Sequence, residues 1–170
     1  VGSTKQSALA AFAQHLPQHL PQCVAAHPIA GSDRSGALAA QFGLYQDKKL
    51  ILCPHETQNP EAEALVGRLW QAVGAQIFRM SAQEHDAVFA AVSHLPHILA
   101  FAYVHQILDH ADGATYLDFA ATGFRDFTRI ASSHPAIWTD ICFANRDSLL
   151  KLLEGQQRQL EKIAGLLRNC

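Results

Sequence analysis

The sequence predicts a mainly α protein in which an α/β layer precedes an all-helical domain. Segments with strand, helix and strand character follow one another up to residue 79, which is the pattern of an α/β layer. After Met80 the chain changes to a long apolar run over 87–108, followed by a stretch with an apolar seam at helical spacing. We therefore place a domain boundary near Met80, between residues 1–79 and 80–170.

The first domain begins with an Ala-rich helix over residues 4–14, which ends before Pro17 and Pro21. A short strand is predicted at Cys23–Ala26. It leads into the loop His27–Asp33, in which a proline and a glycine mark a turn.

Two further strands and one helix complete the layer. The strands span Lys49–Cys53, which Pro54 ends, and Gln76–Arg79. Between them, residues 60–73 form an amphipathic helix. Its apolar face carries six side chains: Ala62, Leu65, Val66, Leu69, Trp70 and Val73.

The second domain begins with the apolar run 87–108. A membrane span is disfavoured there because the run contains Pro96 and three histidines, namely His94, His97 and His105. A helix that is apolar on all sides is expected to be buried on all sides, which suggests a partner subunit for a domain of this size. The C-terminal stretch indicates the same, because one seam of a long helix is apolar: Leu149, Leu153, Leu160, Ile163 and Leu167.

Composition narrows the class of function. The 13 Lys+Arg against 15 Asp+Glu leave no basic field for nucleic acid, and 49% hydrophobic residues exclude a disordered chain. Four widely spaced cysteines without a C-x-x-C pair favour reduced thiols in a cytosolic protein, and no secretion signal is visible. The chain begins at Val1 and its one methionine is Met80, which predicts a fragment.

Three groups of residues are candidates for chemistry. His94 and His97, three residues apart, fit core histidines, substrate contacts or a metal pair that lacks a convincing third ligand. Arg125 and Arg129 fit either a solvated helix face or a clamp for a carboxylate. His27 is either a general base or a loop histidine without a role. The sequence has no G-x-G-x-x-G and no G-x-x-x-x-G-K-[ST], so nothing in it cradles a nucleotide phosphate by itself.

Several segments of the sequence, taken in their order along the chain, resemble one known protein family. They are His27-Pro28-Ile29-Ala30-Gly31-Ser32-Asp33, Ser93-His94-Leu95-Pro96-His97 and Gly123-Phe124-Arg125-Asp126-Phe127-Thr128-Arg129-Ile130-Ala131, with Val1-Gly2-Ser3-Thr4-Lys5, Glu84-His85-Asp86 and Trp138-x-Asp140-Ile141 in the expected order. Together they closely resemble the prephenate/arogenate dehydrogenase family of tyrosine biosynthesis, over essentially the whole chain.

The resemblance implies an all-helical dimerisation domain preceded by the last strands and helices of a Rossmann-type nicotinamide-binding domain. The implied reaction is the oxidative decarboxylation of prephenate to 4-hydroxyphenylpyruvate with hydride transfer to NAD or NADP, in a cytoplasmic homodimer and without a metal. Arogenate is the alternative substrate. The family's G-x-G-x-x-G segment is absent here, so we expect the 170 residues alone neither to bind the cofactor well nor to turn over substrate.

The same resemblance implies roles for single residues. His27 matches the histidine that hydrogen-bonds the ring hydroxyl and helps to remove its proton, and Ser3 matches a serine of that hydroxyl network. Arg129 matches the arginine that holds a substrate carboxylate, and His97 matches a histidine that lines the substrate pocket. Three residues match positions that order or gate the pocket: Ser32, Asp33, where relatives often have Glu, and Asp86. His94 is implied to be a structural neighbour.

Two other hypotheses compete with the enzyme. One is a catalytically silent helical dimerisation module derived from that family, and the other is a His-based metal protein. The presence of His27, His97 and Arg129 together favours the enzyme, since a silent module need not keep them.

Overall fold

The computed structural model describes residues 3–31 and 36–169, and the chain divides into two compact units, Val1–Ala87 and Val88–Cys170. A three-stranded sheet with helices forms the first unit, and the described part of the second is helical. The predicted fold class is therefore confirmed: the protein is mainly α, with a small α/β part before an all-helical part.

The described residues of the first unit form six regular elements. They are α1 (Gln6–His15), β1 (Ala25–Pro28), β2 (Lys49–Cys53), α2 (Pro60–Ala72), β3 (Gln76–Arg79) and α3 (Ala82–Phe89), whose last two residues belong to the second unit. Short 3-10 turns lie at Pro17–Gln22 and Ala37–Ala39.

The central strand β2 determines the sheet. It pairs antiparallel with β1 and parallel with β3, and its residues Leu50–Cys53 are buried. A strand enclosed on both faces reads as a continuous apolar run, as this one does. Val66 and Trp70 of α2 pack against the resulting core. Three other members of the predicted apolar face, Leu65, Leu69 and Val73, are exposed.

The first strand differs from the prediction. We expected Cys23–Ala26, with His27 opening a loop, but β1 spans Ala25–Pro28 and His27 lies inside it. Pairing with β2 explains the shift, because residues 25–28 lie opposite residues 53–50 and the register places His27 opposite Ile51. An edge strand tolerates Pro28, which lacks an N–H.

The second unit contains five helices in the part of the chain that is described. They are α4 (Leu95–Leu108), α5 (Gly113–Asp118), α6 (Thr122–Thr128), α7 (Pro135–Ala144) and α8 (Arg146–Arg168). The apolar run continues from α3 into α4 through a π-turn at Ala90–His94. Pro96 accounts for the interruption, because its ring cannot fit an unbroken helix and it offers no N–H to the preceding turn.

Large apolar surfaces of this unit are uncovered. The helical run Ala82–Leu108 is long and apolar enough to cross a membrane by length and composition alone, a test that the core helix of a soluble protein also passes. Only 22% of its most apolar window is buried, so the chain by itself does not bury the run on all sides. In α8, Leu149 is buried, whereas Leu160, Ile163 and Leu167 are more than half exposed.

Candidate active site

In the first unit, two imidazoles and a carboxylate form a continuous hydrogen-bonded row. His27 Nδ1 lies 2.8 Å from His85 Nε2, and His85 Nδ1 lies 2.8 Å from Asp86 Oδ1. His85 is completely buried and Asp86 is 2% exposed, whereas His27 is half-buried. The row therefore runs from a buried charge outwards to an imidazole that solvent or a ligand can reach.

Three elements hold this row. The sheet fixes the backbone of His27, as part of β1. The Ser81 hydroxyl, which accepts from the Glu84 N–H at 3.0 Å, caps the start of α3 and so positions His85 and Asp86. Asp86 in turn lies at the N-terminus of α1, where its oxygens accept from the backbone N–H groups of Lys5 at 2.8 Å and Gln6 at 2.9 Å.

Asp86 is ionised in this arrangement. Burial by itself raises the pKa of its carboxyl. The hydrogen bonds from His85 and from the N–H groups of Gln6 and Lys5 outweigh burial and hold that pKa below its usual value. The positive end of α1 acts in the same direction, because the unpaired N–H groups of a first helical turn attract an anion.

In the second unit, His97 is held against an aromatic ring. Its imidazole stacks on the Trp138 indole with ring centroids 3.7 Å apart and planes 19° apart, and its Nδ1 lies 2.8 Å from the Ser93 carbonyl oxygen. A carbonyl only accepts, so Nδ1 carries the proton and Nε2 carries the lone pair. Burial lowers the pKa of His97, the Ser93 carbonyl opposes this, and the charge of Arg129 lowers the pKa further.

Arg129 begins the 3-10 turn Arg129–Ser132 that follows α6, and its side chain is exposed. Aromatic contacts attach α6 to α4, since the Tyr103 ring lies 5.8 Å from that of Phe124 and 5.7 Å from that of Phe127. The effect of Arg129 on the pKa of His97 indicates that the two side chains share one electrostatic environment. Arg125 is also exposed, on α6 itself.

His94 differs from its neighbour His97 in being enclosed. It is 1% exposed, and Asn145 Nδ2 lies 3.4 Å from its Nδ1, which fits the structural part expected of it. Among the described residues no group of three or more His, Cys, Asp or Glu side chains could hold a metal ion. Cys23, Cys53 and Cys142 are free thiols.

The remaining predicted site residues fall in different places. Ser3 is half-buried and lies two residues before Lys5, the N-cap of α1. Ser32 and Asp33 lie outside the described residues. Behind His27, the row consists of His85 and Asp86. Asp86 was predicted as a site residue, and His85 was not. The signal for His85 was its position beside Asp86 in Glu84-His85-Asp86.

An apolar groove of about 620 Å³ lies between α4 and α7 of the second unit. Its lining includes Phe101, Val104, Pro135, Trp138, Phe143 and Arg146. Trp138 therefore faces the groove and also supports His97, which makes it a second residue that the motif analysis did not single out for a role.

The described residues contain no phosphate-binding turn of the dinucleotide type. A phosphate-binding turn needs clustered glycines before a helix, whereas Gly36, Gly43 and Gly74, the described glycines with positive φ, are isolated from one another. Gly74 serves a local purpose instead, since its φ of 90° closes the turn from α2 to β3.

Comparisons with known proteins agree over both units. The family model described as the prephenate dehydrogenase nucleotide-binding domain matches residues 1–79, and the one described as the prephenate dehydrogenase dimerization domain matches residues 81–170. A prephenate dehydrogenase of Bacillus subtilis is 41% identical over 165 residues, which are 96% of this chain and 44% of that protein.

Solved structures give the same result. The crystal structure of prephenate dehydrogenase from A. aeolicus in complex with hydroxyphenyl propionate and NAD+ aligns with a TM-score of 0.89 at 36% identity, covering 99% of this chain and 58% of the other. The Synechocystis arogenate dehydrogenase aligns with a TM-score of 0.80 at 26% identity, covering 99% of this chain and 60% of the other. The chain thus spans about half the length of the proteins it matches.

Proposed function

Because this chain belongs to the prephenate dehydrogenase family, we propose that it contributes the proton-accepting and carboxylate-binding groups of an NAD(P)-dependent prephenate dehydrogenase, an oxidoreductase. The observation that carries the proposal is the row of His27, His85 and Asp86, because it supplies an accessible imidazole that is hydrogen-bonded through a second imidazole to a buried carboxylate. The overall reaction is the oxidative decarboxylation of prephenate to 4-hydroxyphenylpyruvate in the cytoplasm.

His27 is the proposed catalytic base. Prephenate carries a hydroxyl group on its ring, and oxidation at that carbon releases the hydroxyl proton. An imidazole hydrogen-bonded to that oxygen accepts the proton at neutral pH, since an unperturbed histidine titrates near ~6.5. In this proposal Ser3 belongs to the same hydroxyl network, while Ser32 and Asp33 order the pocket.

Arg129 is the proposed anion-binding group. Prephenate carries two carboxylates, and a guanidinium binds a carboxylate through two parallel N–H donors. His97 does not compete for the anion, because its lowered pKa keeps the ring neutral and its Nε2 presents a lone pair. We assign His97 to the lining of the substrate pocket.

The cofactor is bound elsewhere in this proposal. The 170 residues lack a phosphate-binding fingerprint, so residues outside them supply the dinucleotide site. We accordingly expect the 170 residues alone to show neither micromolar dinucleotide binding nor turnover. No step of the proton and carboxylate chemistry assigned here depends on how the cofactor is held.

A homodimer through the second unit is part of the proposal. The groove between α4 and α7 and the exposed seam of α8 are apolar and uncovered, and large exposed apolar patches mark association sites. A second copy of the chain can cover these apolar surfaces, because a two-fold interface brings the same patch of both subunits together.

The test uses the protein in its natural length. Reduced-cofactor absorbance is followed after prephenate is added with NAD+ or NADP+, in the parent and in two variants. We expect His27→Asn to lower kcat with little change in KM, and Arg129→Ala to raise KM. No absorbance change with either cofactor, whether prephenate or arogenate is added, removes the enzyme hypothesis and leaves the silent dimerisation module.

Arogenate is a second candidate substrate. The likeness to the Synechocystis arogenate dehydrogenase favours testing it, because that protein aligns over 99% of this chain. The same assay with arogenate in place of prephenate compares the two, and the larger kcat/KM identifies the preferred substrate.

A further inference from the structure

We propose that His85, itself oriented by Asp86, is a positioning residue that fixes the tautomer of His27 so that the His27 Nε2 atom carries the lone pair. This inference rests on the proposed function for its catalytic meaning, since it explains how His27 is prepared to accept a proton. The tautomer itself is a property of the chain and is measured without substrate or cofactor.

The first step concerns Asp86 and His85. The Asp86 carboxylate is held ionised by hydrogen bonds that include those from Lys5 N–H, Gln6 N–H and His85, and an ionised carboxylate only accepts. His85 Nδ1, 2.8 Å from Asp86 Oδ1, must therefore be the protonated nitrogen of that ring. A neutral imidazole carries one proton, so His85 Nε2 is an acceptor.

The second step transfers this constraint to His27. Its Nδ1 lies 2.8 Å from His85 Nε2, and two lone pairs cannot face each other at that distance, so His27 Nδ1 donates. The neutral His27 ring then has its lone pair on Nε2. A base that must take a proton from a substrate hydroxyl needs this tautomer, since the opposite one would present an N–H to the hydroxyl.

Geometry also limits what His85 itself can do. Its ring is completely buried between His27 and Asp86, so it does not reach substrate, and its influence on the reaction passes through His27. Asp86 is bound to the N-terminal backbone of α1 at Lys5 and Gln6, which fixes the carboxylate in place before any ligand arrives.

The decisive measurement is the 15N spectrum of the histidine rings in the unliganded 170-residue chain at neutral pH. Protonated and unprotonated ring nitrogens have well-separated 15N shifts, and long-range couplings to the ring protons assign each nitrogen. We expect His85 and His27 both to carry the proton on Nδ1. A His27 ring protonated on Nε2 and bare on Nδ1 overturns the proposal.

Variants give the functional readout in the protein of natural length. His85→Leu removes the acceptor, and we expect kcat to fall about 10- to 100-fold with KM within about twofold of the parent. His85→Gln, whose amide oxygen can accept from His27 Nδ1, should recover part of that loss. His15→Leu makes the same change at an exposed histidine of the same unit and should leave kcat unchanged.

The outcomes separate the two proposals. A folded His85→Leu variant with a kcat close to that of the parent overturns the positioning role while leaving prephenate oxidation in place. If His85→Leu does not fold, the spectrum of the parent chain decides the question alone. An enzyme inactive on prephenate and arogenate whose His27 shows the expected tautomer refutes the proposed function and leaves the positioning role standing.

Discussion

Replacing Asp86 by asparagine tests whether its buried carboxylate stabilises the first unit. In the structure Oδ1 accepts from Lys5 N–H and His85 Nδ1, and Oδ2 accepts from Gln6 N–H. The asparagine side chain has one accepting oxygen. Its NH2 group cannot accept, so it faces the donor on the other side without forming a hydrogen bond. The variant therefore weakens two charge-assisted hydrogen bonds to neutral ones and loses a third.

The size of the effect follows from these three bonds. A hydrogen bond to a charged group contributes ~1.5–3 kcal/mol and a neutral one ~1 kcal/mol, so the free energy of unfolding should fall by at least about 2.5 kcal/mol. With a urea m value of ~1.5 kcal/mol/M, the unfolding midpoint of the first unit shifts down by about 2 M. Glu56→Gln is the control, because that side chain is exposed in the same unit and its replacement should cost well under ~1 kcal/mol.

Fluorescence can report on the first unit alone. The chain has two tryptophans, Trp70 in the first unit and Trp138 in the second. In a Trp138→Phe background, urea titrations followed at Trp70 measure the unit that contains Asp86. The reasoning is refuted if Asp86→Asn lowers the free energy of unfolding no more than Glu56→Gln does.

The pH dependence of the stability gives a second test of the Asp86 carboxylate. The folded pKa of Asp86 lies below the unfolded value, which is near ~3.9 for an aspartate, so its stabilisation is complete above that value and is lost as the pH falls through the folded pKa. The difference in free energy of unfolding between the parent and Asp86→Asn should therefore narrow below about pH 4. A difference that stays constant down to the acid limit contradicts an ionised Asp86.

Three other expectations concern the second unit and the sheet core. Arg129→Leu should raise the pKa of His97, because a positive charge that opposes protonation is removed; an NMR titration in which this pKa is unchanged or lower contradicts the assignment. Leu52→Ala, at a fully buried position of β2, should lower the free energy of unfolding by about 3 kcal/mol in urea titrations, and Leu65→Ala, at an exposed position, by less than about 1 kcal/mol. Ile163→Glu should weaken self-association in sedimentation velocity, and an unchanged dimer would place the interface elsewhere.

The pairing of strands explains why His27 was predicted in the wrong element. Cys23–Ala26 is more apolar than Ala25–Pro28, so local composition favours the wrong bounds, and Pro28 suggests a turn. The ladder with β2 decides the matter, because it places His27 opposite Ile51. The local pattern predicted the strand Lys49–Cys53 with its observed bounds, because its residues Leu50–Cys53 are all apolar.

The apolar run of the second unit shows a similar limit. Its composition predicted a helix, and the helix is present, but the π-turn at Ala90–His94 depends on how the turn before Pro96 relaxes. The stacking of His97 on Trp138 joins residues 41 positions apart in sequence, so spacing along one helix could not indicate it. Spacing left the His94 and His97 pair open between core, substrate and metal roles.

The sequence by itself determined the fold class, the family and the candidate base His27, because ordered motifs and hydrophobic patterns are local properties of the chain. Only the tertiary structure decided what surrounds that base. Asp86 and His85 come from α3, His27 comes from β1, and Lys5 and Gln6 come from the start of α1, more than 50 residues from α3. Hydrogen bonds require distances near 3 Å, and folding alone brings residues so far apart in sequence to that distance.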